Sequence, residues 1–190
     1  MNYIKSIENY NPINEQEKTD KRLILSYIDK FKDILFRENE FAHITSSAFV
    51  INKDKTKTLM IYHNIYNSWS FTGGHADGDS DLSKVALKEL AEETGVKNAK
   101  FLDTNIASID ILPVMAHIKK GKYVAPHLHL SITYLVEADE NEDLRIKSDE
   151  NSNVAWINIS EINNYTKAEP HMQVVYNKII SKYINKNSVS

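Results

Sequence analysis

Three glutamates in the middle of the chain could together hold a divalent cation. Glu89, Glu92 and Glu93 stand three and four residues apart in a segment with helical periodicity, which brings them to neighbouring positions on one helix. Carboxylate oxygens are the ligands that Mg²⁺ and Mn²⁺ prefer, whereas zinc prefers nitrogen and sulfur. The spacing therefore indicates either a metal site or a structural or solvated acidic cluster.

The position of these carboxylates on the helix favours the metal site. On a helix that advances about 100° per residue, Glu89 and Glu93 fall inside the apolar stripe and Glu92 falls on its flank. Carboxylates in the last turns of a helix also meet the negative end of its dipole and repel one another. Several unfavourable features at one place, here mutually repelling carboxylates on or beside the apolar stripe at the negative end of a helix, are typical of a functional site. A divalent cation would neutralise this charge.

The helix that carries the glutamates has clear sequence boundaries. The apolar period predicts a helix from about Leu82 to Thr94, and Gly95 stands where a left-handed cap usually ends a helix. A polar, glycine-containing loop over 73–81 precedes it. This loop lacks the lysine of a phosphate-binding P-loop and the glycine and glutamate spacing of a calcium-binding loop, so neither of those sites is predicted.

Loop and helix together resemble the Nudix box. That family pattern is Gly, five residues, Glu, seven residues, Arg-Glu-aliphatic-any-Glu-Glu-any-Gly-aliphatic. The segment from Gly74 to Val96 matches the first glycine, the three helix glutamates, both aliphatic positions and the closing glycine. Ser80 stands where the family has glutamate, and Lys88 stands where it has arginine. The approach over 69–75 is similar to the Trp-x-x-Pro-Gly-Gly-His of some members.

The resemblance implies a reaction and a cofactor. The reaction is hydrolysis of a pyrophosphate bond in a nucleoside diphosphate linked to another group, or in a nucleoside triphosphate. The cofactor is Mg²⁺ or Mn²⁺, which bridges an acidic cluster to an anionic substrate. By position, the resemblance implies catalytic metal ligands at Glu89, Glu92 and Glu93, with the carbonyl of Gly73 as a further ligand.

Further candidates lie outside the helix. The general base varies in this family, and an acid on a distant loop can serve; Asp149 and Glu150 lie where such an acid would come from, and we favour Glu150. His127 and His129 share one face of a strand, and some members carry a similar His-x-His-x-Asp stretch. They are candidates for substrate or metal contact, or hydrogen-bonded strand histidines. His75 either supports its loop or contacts the ligand.

The resemblance leaves two functions open. The first is an Mg²⁺-dependent pyrophosphohydrolase, and the second is a non-catalytic Nudix-like module that binds a nucleotide and reports it to a partner. The three glutamates favour the enzyme, because a pure binding module does not need all of them. A prenyl diphosphate isomerase of the same fold is disfavoured, since those isomerases use a cysteine and this chain has none.

Composition limits the partners of the protein. The 190 residues include 23 Lys+Arg and 26 Asp+Glu, and this slight acidic excess disfavours binding to a nucleic-acid duplex or an anionic membrane. We expect a small nucleotide-type substrate as the partner. The chain has neither a signal-peptide pattern nor an apolar run near the roughly 20 residues that span a bilayer, so we expect a cytoplasmic protein. An amphipathic N-terminal helix could serve a homodimer.

The periodicity also predicts the arrangement of the chain. Helices are expected over about 15–37 and 171–184, and strands over 41–52, 58–63, 127–137 and 154–159. We expect an N-terminal helical extension over 1–39, packed on the core, and a Nudix domain with a C-terminal helix over 40–190. Strands and helices without strict βαβ alternation indicate an α+β or α/β class. The resemblance implies an α/β/α sandwich with a mixed β-sheet between helices.

Overall fold

A computed structural model describes residues 2–119 and 121–184. These residues form five α-helices: α1 (Tyr3–Asn9), α2 (Glu15–Lys30), α3 (Leu82–Thr94), α4 (Ile162–Tyr165) and α5 (Pro170–Tyr183). They also form ten strands: β1 (Ala42–Ile51), β2 (Lys57–His63), β3 (Ser68–Ser70), β4 (Thr72–His75), β5 (Lys100–Phe101), β6 (Ser108–Val114), β7 (His117–Lys119), β8 (Lys122–Val124), β9 (His127–Glu137) and β10 (Asn151–Asn158). No helix in this part of the chain is long and apolar enough to cross a membrane.

The described chain divides into two compact units. The first takes in the described residues up to Ser47, together with Gly73–Leu87 and Thr104–Tyr134. The second takes in Ala48–Thr72, Lys88–Asp103 and the described residues from Leu135 onward. This division does not test the boundary expected at residue 39, which stays a prediction.

In the first unit, a buried polar network joins α2 to β6. Glu17 on α2 has no exposed surface, and its carboxylate accepts hydrogen bonds from the Tyr10 hydroxyl (2.6 Å) and from Ser108 Oγ on β6 (3.3 Å). A buried carboxylate is tolerated when hydrogen bonds replace its hydration. The network therefore fastens the N-terminal helices to the strands of this unit.

Helix α2 is shorter than its apolar period predicts. It ends at Lys30 instead of near residue 37, and turns follow it. The reason is a tertiary pairing, because the amide of Ile44 on β1 donates to the Ile34 carbonyl at 2.8 Å. The side chain of Ile34 is buried, as the helical period predicts. Its main-chain carbonyl, however, accepts a hydrogen bond from β1 and not from a further turn of helix.

In the second unit, β2 pairs with both β10 and β3. The β2–β10 pair is antiparallel, with Leu59 opposite Trp156. Helix α5 starts at a proline, which suits a helix N-terminus, and buries Tyr176 against Phe49 and Phe71 with ring centroids 6.3 and 5.5 Å away. The predicted α+β class, with a mixed β-sheet and helices, is confirmed.

Candidate active site

Helix α3 has the predicted bounds, and both of its ends are hydrogen-bonded. At the start, the Asp81 carboxylate accepts from Ser83 Oγ (2.6 Å) and from the amide of Lys84 (3.2 Å). At the end, Gly95 adopts a φ of +84° and its amide donates to the Ala91 carbonyl at 3.0 Å. The helix ends at Thr94, because the next residue is in a left-handed conformation that few residues other than glycine adopt without strain.

The helix turns two of its three glutamates inward. Glu93 is buried, with 2% of its surface exposed, and the side chain of Glu89 is 12% exposed. The side chain of Glu92, on the flank, is 42% exposed. The orientation predicted from the helical wheel is therefore confirmed, whereas the chemical role of the three glutamates stays a prediction.

Two lysines lie among these carboxylates. Nζ of Lys147 lies 3.1 Å from a Glu92 oxygen and 3.0 Å from a Glu150 oxygen. Nζ of Lys88 lies 3.5 Å from Glu89 and 3.6 Å from Glu92. The ammonium of Lys147 thus joins the helix to the candidate general base, a contact that the sequence analysis missed because Lys147 is 55 residues from Glu92.

A buried asparagine positions the loop that carries Lys147 and Glu150. Asn151 has no exposed surface, and its side-chain amide donates to the main-chain carbonyl of Glu93 at 3.0 Å. The amides of Glu150 and Asn151 both donate to the Lys147 carbonyl at 2.8 Å, which closes a tight turn. The Asn64 amide donates to the Glu150 carbonyl at 2.9 Å. The bond between buried Asn151 and buried Glu93, with the turn closed by Lys147, fixes the loop against the end of α3.

The electrostatics of the three charged groups differ. Burial raises the pKa of Glu89, and the nearby ammonium of Lys88 opposes this shift. The hydrogen bond from Lys147 lowers the pKa of Glu92. Burial acts to lower the pKa of the Lys147 ammonium, but its hydrogen bonds to Glu150 and Glu92 outweigh burial and raise it. Glu89 therefore has less charge compensation than Glu92 in the protein alone.

The donor chemistry of this cluster fits a hard cation. Its side chains offer carboxylate oxygens, which Mg²⁺ and Mn²⁺ prefer, and burial raises the pKa of Glu89 despite the nearby Lys88 ammonium. The carboxylates themselves are not gathered around one point. Within the described residues, one cluster brings three potential metal-binding atoms within 4.8 Å of one another. It consists of ring nitrogens of His43, His75 and His129.

The histidines form a cluster in the first unit. The ring centroid of His43 on β1 lies 4.9 Å from those of His75 and His127 and 5.1 Å from that of His129. The rings of His75 and His129 are also 5.1 Å apart. The three histidines named from the sequence are thus brought together, although their role in substrate binding stays a prediction. His43 was missed, because a lone histidine on a buried strand carries no spacing signal.

Burial lowers the pKa of three of these histidines, His43, His75 and His129, and so favours their neutral form. It lowers the pKa of His75 to about 3, with Arg37 as the next cause, and lowers that of His129 well below its usual value. The pKa of His43 is lowered by burial as well, against the opposing effect of its hydrogen bond to Asn39. Neutral imidazoles carry a free lone pair on one ring nitrogen.

Gly73, predicted as a carbonyl ligand at the start of a loop, lies within strand β4. A Cβ at this position would overlap Ser47 and would lie 2.9 Å from the Ser46 carbonyl oxygen, so the close approach to β1 requires glycine. Its role as a metal ligand stays a prediction.

Comparisons with known proteins show the family of the chain. The family model for the NUDIX domain matches residues 42–179. The RNA pyrophosphohydrolase of Pelagibacter ubique is 31% identical over 117 residues, which cover 60% of this chain and 74% of that protein.

Solved structures share the fold at lower identity. A NUDIX-family hydrolase from Clostridium perfringens matches with a TM-score of 0.53 and 16% identity, over 74% of this chain and 97% of that one. A MutT protein from Methanosarcina mazei matches with a TM-score of 0.52 and 16% identity, over 78% and 99%. The family model covers most of the chain and includes the acidic helix, so the protein belongs to the Nudix hydrolase family.

Proposed function

We propose that the protein hydrolyses the pyrophosphate bond of a nucleotide with Mg²⁺ or Mn²⁺ held by Glu89, Glu92 and Glu93. Family membership confirms the broader prediction of a Nudix-type pyrophosphohydrolase and does not favour the non-catalytic binding module. One observation supports the proposed metal ligands and general base. The glutamates on α3 face inward, and the end of this helix is hydrogen-bonded to the loop that carries Glu150. A cytoplasmic location and a homodimer stay predictions.

The residues of the chain prepare this site for a cation. Nudix hydrolases act with a divalent metal ion, which when bound polarises a phosphoryl oxygen and offsets the charge that develops during hydrolysis. Glu89 supplies a carboxylate in a mostly buried position, and Glu92 supplies one at the exposed edge. Without metal, the ammonium of Lys147 offsets part of this negative charge. The carbonyl of Gly73 is proposed as a further ligand.

Glu150 is our proposed general base for the attacking water. Its carboxylate is half-buried and is held by Lys147, and its main chain is tied into the turn that Asn151 fixes. We expect Glu150→Gln to lower kcat by about 10²- to 10⁴-fold, the usual contribution of general base catalysis, while KM changes little. Steady-state kinetics at saturating Mg²⁺ measure both parameters.

The matched control is the neighbouring carboxylate. Asp149→Asn removes the same charge one residue away, and we expect it to keep kcat within about threefold, as a charge without a chemical role does. A large loss in Asp149→Asn together with an active Glu150→Gln would move the role of general base to Asp149.

The ammonium of Lys147 competes with the metal for Glu92. A unit charge about 4 Å away is worth about 1 kcal/mol in water, so Lys147→Met should lower the Mg²⁺ concentration for half-maximal activity about fivefold. Activity measured across a Mg²⁺ titration gives this concentration. Lys167→Met, on an exposed turn, serves as the control and should leave it unchanged. A higher Mg²⁺ requirement in Lys147→Met would show that the lysine positions the carboxylates and does not compete.

The substrate class is tested by a panel of pyrophosphate compounds with Mg²⁺. The panel contains nucleoside triphosphates, nucleoside diphosphates linked to a sugar or a second nucleoside, and RNA with a 5′-triphosphate. RNA is included because the relative from Pelagibacter ubique is named an RNA pyrophosphohydrolase. We expect phosphate, pyrophosphate or nucleoside monophosphate to be released from at least one class. Tight binding without turnover across the panel would contradict the proposal and support the binding module.

A further inference from the structure

Two imidazole nitrogens in the histidine cluster are buried without a hydrogen-bond partner. They are Nε2 of His43 and Nε2 of His129. A buried polar atom without a partner costs free energy, and most such atoms in folded proteins bind a side chain, water or an ion. Both residues belong to a group, completed by His75, in which one ring nitrogen from each histidine lies within 4.8 Å of the other two. The geometry thus gathers three ring nitrogens around one point.

The hydrogen bond on the other side of His43 fixes which nitrogen is available. Nδ1 lies 3.0 Å from the Asn39 carbonyl oxygen, and since a carbonyl only accepts, Nδ1 carries the proton. Nε2 of His43 is therefore the nitrogen with the free lone pair. A histidine that binds metal through one nitrogen typically donates from the other to a backbone carbonyl or a carboxylate, which is the arrangement found here.

We propose that His43, His75 and His129 form a site for a zinc-class transition-metal ion, with a fourth coordination position open. Imidazole nitrogen suits Zn²⁺ and its neighbours in the first transition row, whereas Mg²⁺ prefers oxygen. Three histidines with an open position are a ligand set that zinc accepts. The site goes beyond the proposed hydrolysis, because it uses nitrogen ligands from the first unit and a different class of ion from the one proposed for α3.

Two neighbouring side chains, Asp77 and His127, could be considered as the fourth ligand of the proposed metal ion. Asp77 is the acid whose charge acts on both His43 and His75, and its carboxylate is engaged by the Arg37 guanidinium. His127 lies with its ring centroid 5.2 Å from that of His129, and its Nδ1 donates to the Ala125 carbonyl at 2.8 Å. Its ligand atoms fall outside the 4.8 Å group. The open position is therefore left for water or an anionic ligand.

The decisive measurement uses the whole, tag-free protein with zinc alone. After dialysis against a chelator, the protein is loaded with Zn²⁺, and zinc X-ray absorption counts the imidazole ligands. We expect one tightly bound zinc per chain with three imidazoles, and a visible absorption band of tetrahedral or five-coordinate Co²⁺ when cobalt replaces zinc. Zinc held by oxygen ligands, or no zinc retained in competition with a chromophoric chelator, would overturn the proposal and assign the buried nitrogens to water.

Variants locate the ion independently of that spectrum. His75→Ala should weaken zinc binding by on the order of a hundredfold or more, since the loss of even a supporting residue costs about 10- to 100-fold. His171→Ala, which changes an exposed histidine on α5, should keep the wild-type affinity. Equal losses in His75→Ala and His171→Ala would show non-specific binding and overturn the proposal. If His75→Ala does not fold, the ligand count of the wild-type protein still decides.

Discussion

Replacing Glu93 by glutamine is expected to lower kcat with Mg²⁺ by about a thousandfold, or roughly 4 kcal/mol in activation free energy, without unfolding the protein. Glutamine keeps the size of the side chain and removes its charge, so a metal ligand is lost while packing is kept. The side chain of Glu93 is 2% exposed. The bond from Asn151 goes to the main-chain carbonyl of residue 93, which the substitution leaves in place.

The loss must be separated from damage to the fold and from a general charge effect. Glu161→Gln removes one carboxylate from an exposed position on the same unit and should keep kcat within about twofold, as an exposed charge far from chemistry does. Circular dichroism and the unfolding midpoint of Glu93→Gln should match those of the wild type within a few degrees. A folded Glu93→Gln protein with full activity would contradict the assignment of Glu93 as a metal ligand.

The acidic face of α3 could be predicted because it depends on local rules. Helical periodicity placed Glu89 and Glu93 among apolar residues, and the left-handed Gly95 ended the helix where the structure ends it. Burial then followed, since a side chain on the apolar stripe must face the core. The same reasoning gave the exact bounds of β9, whose apolar residues alternate over 127–137.

The partners of that face could not be predicted, because they arise from contacts distant in sequence. Lys147, in a loop, and Asn151, the first residue of β10, contact α3 from more than 50 residues further along the chain, and no sequence pattern marks either of them. His43 lies on a strand that is buried throughout, where a histidine has no periodic signal. The end of α2 was misplaced for a related reason, because the backbone pairing of Ile34 with Ile44 overrides the helical period.

The metal-free protein is expected to lose stability as the pH falls below about 6.5, because its clustered histidines stay neutral in the folded state. The unfolded chain binds protons at the ordinary pKa of histidine, about 6.5, whereas burial lowers the pKa of His75 to about 3. Above pH 6.5 these histidines are neutral in both the folded and the unfolded chain, and the free energy of unfolding has its full value. This free energy decreases as the pH falls from 6.5 towards 3. For His75 alone the loss reaches about 1.4 kcal/mol at pH 5.5, and His43 and His129 add to it with the same sign.

Urea unfolding at pH 7.5 and pH 5.5, in the presence of a chelator, measures this slope for the wild type and for His75→Asn. Asparagine does not titrate, so the variant should lose about 1.4 kcal/mol less between the two pH values than the wild type does. The raised pKa of Glu89 acts with the opposite sign, since protonation of that buried carboxylate favours the folded state, but it contributes equally to both proteins and cancels in the difference. Equal slopes in the two proteins would mean that His75 protonates as readily in the folded chain as in the unfolded one, and that the cluster is open to water.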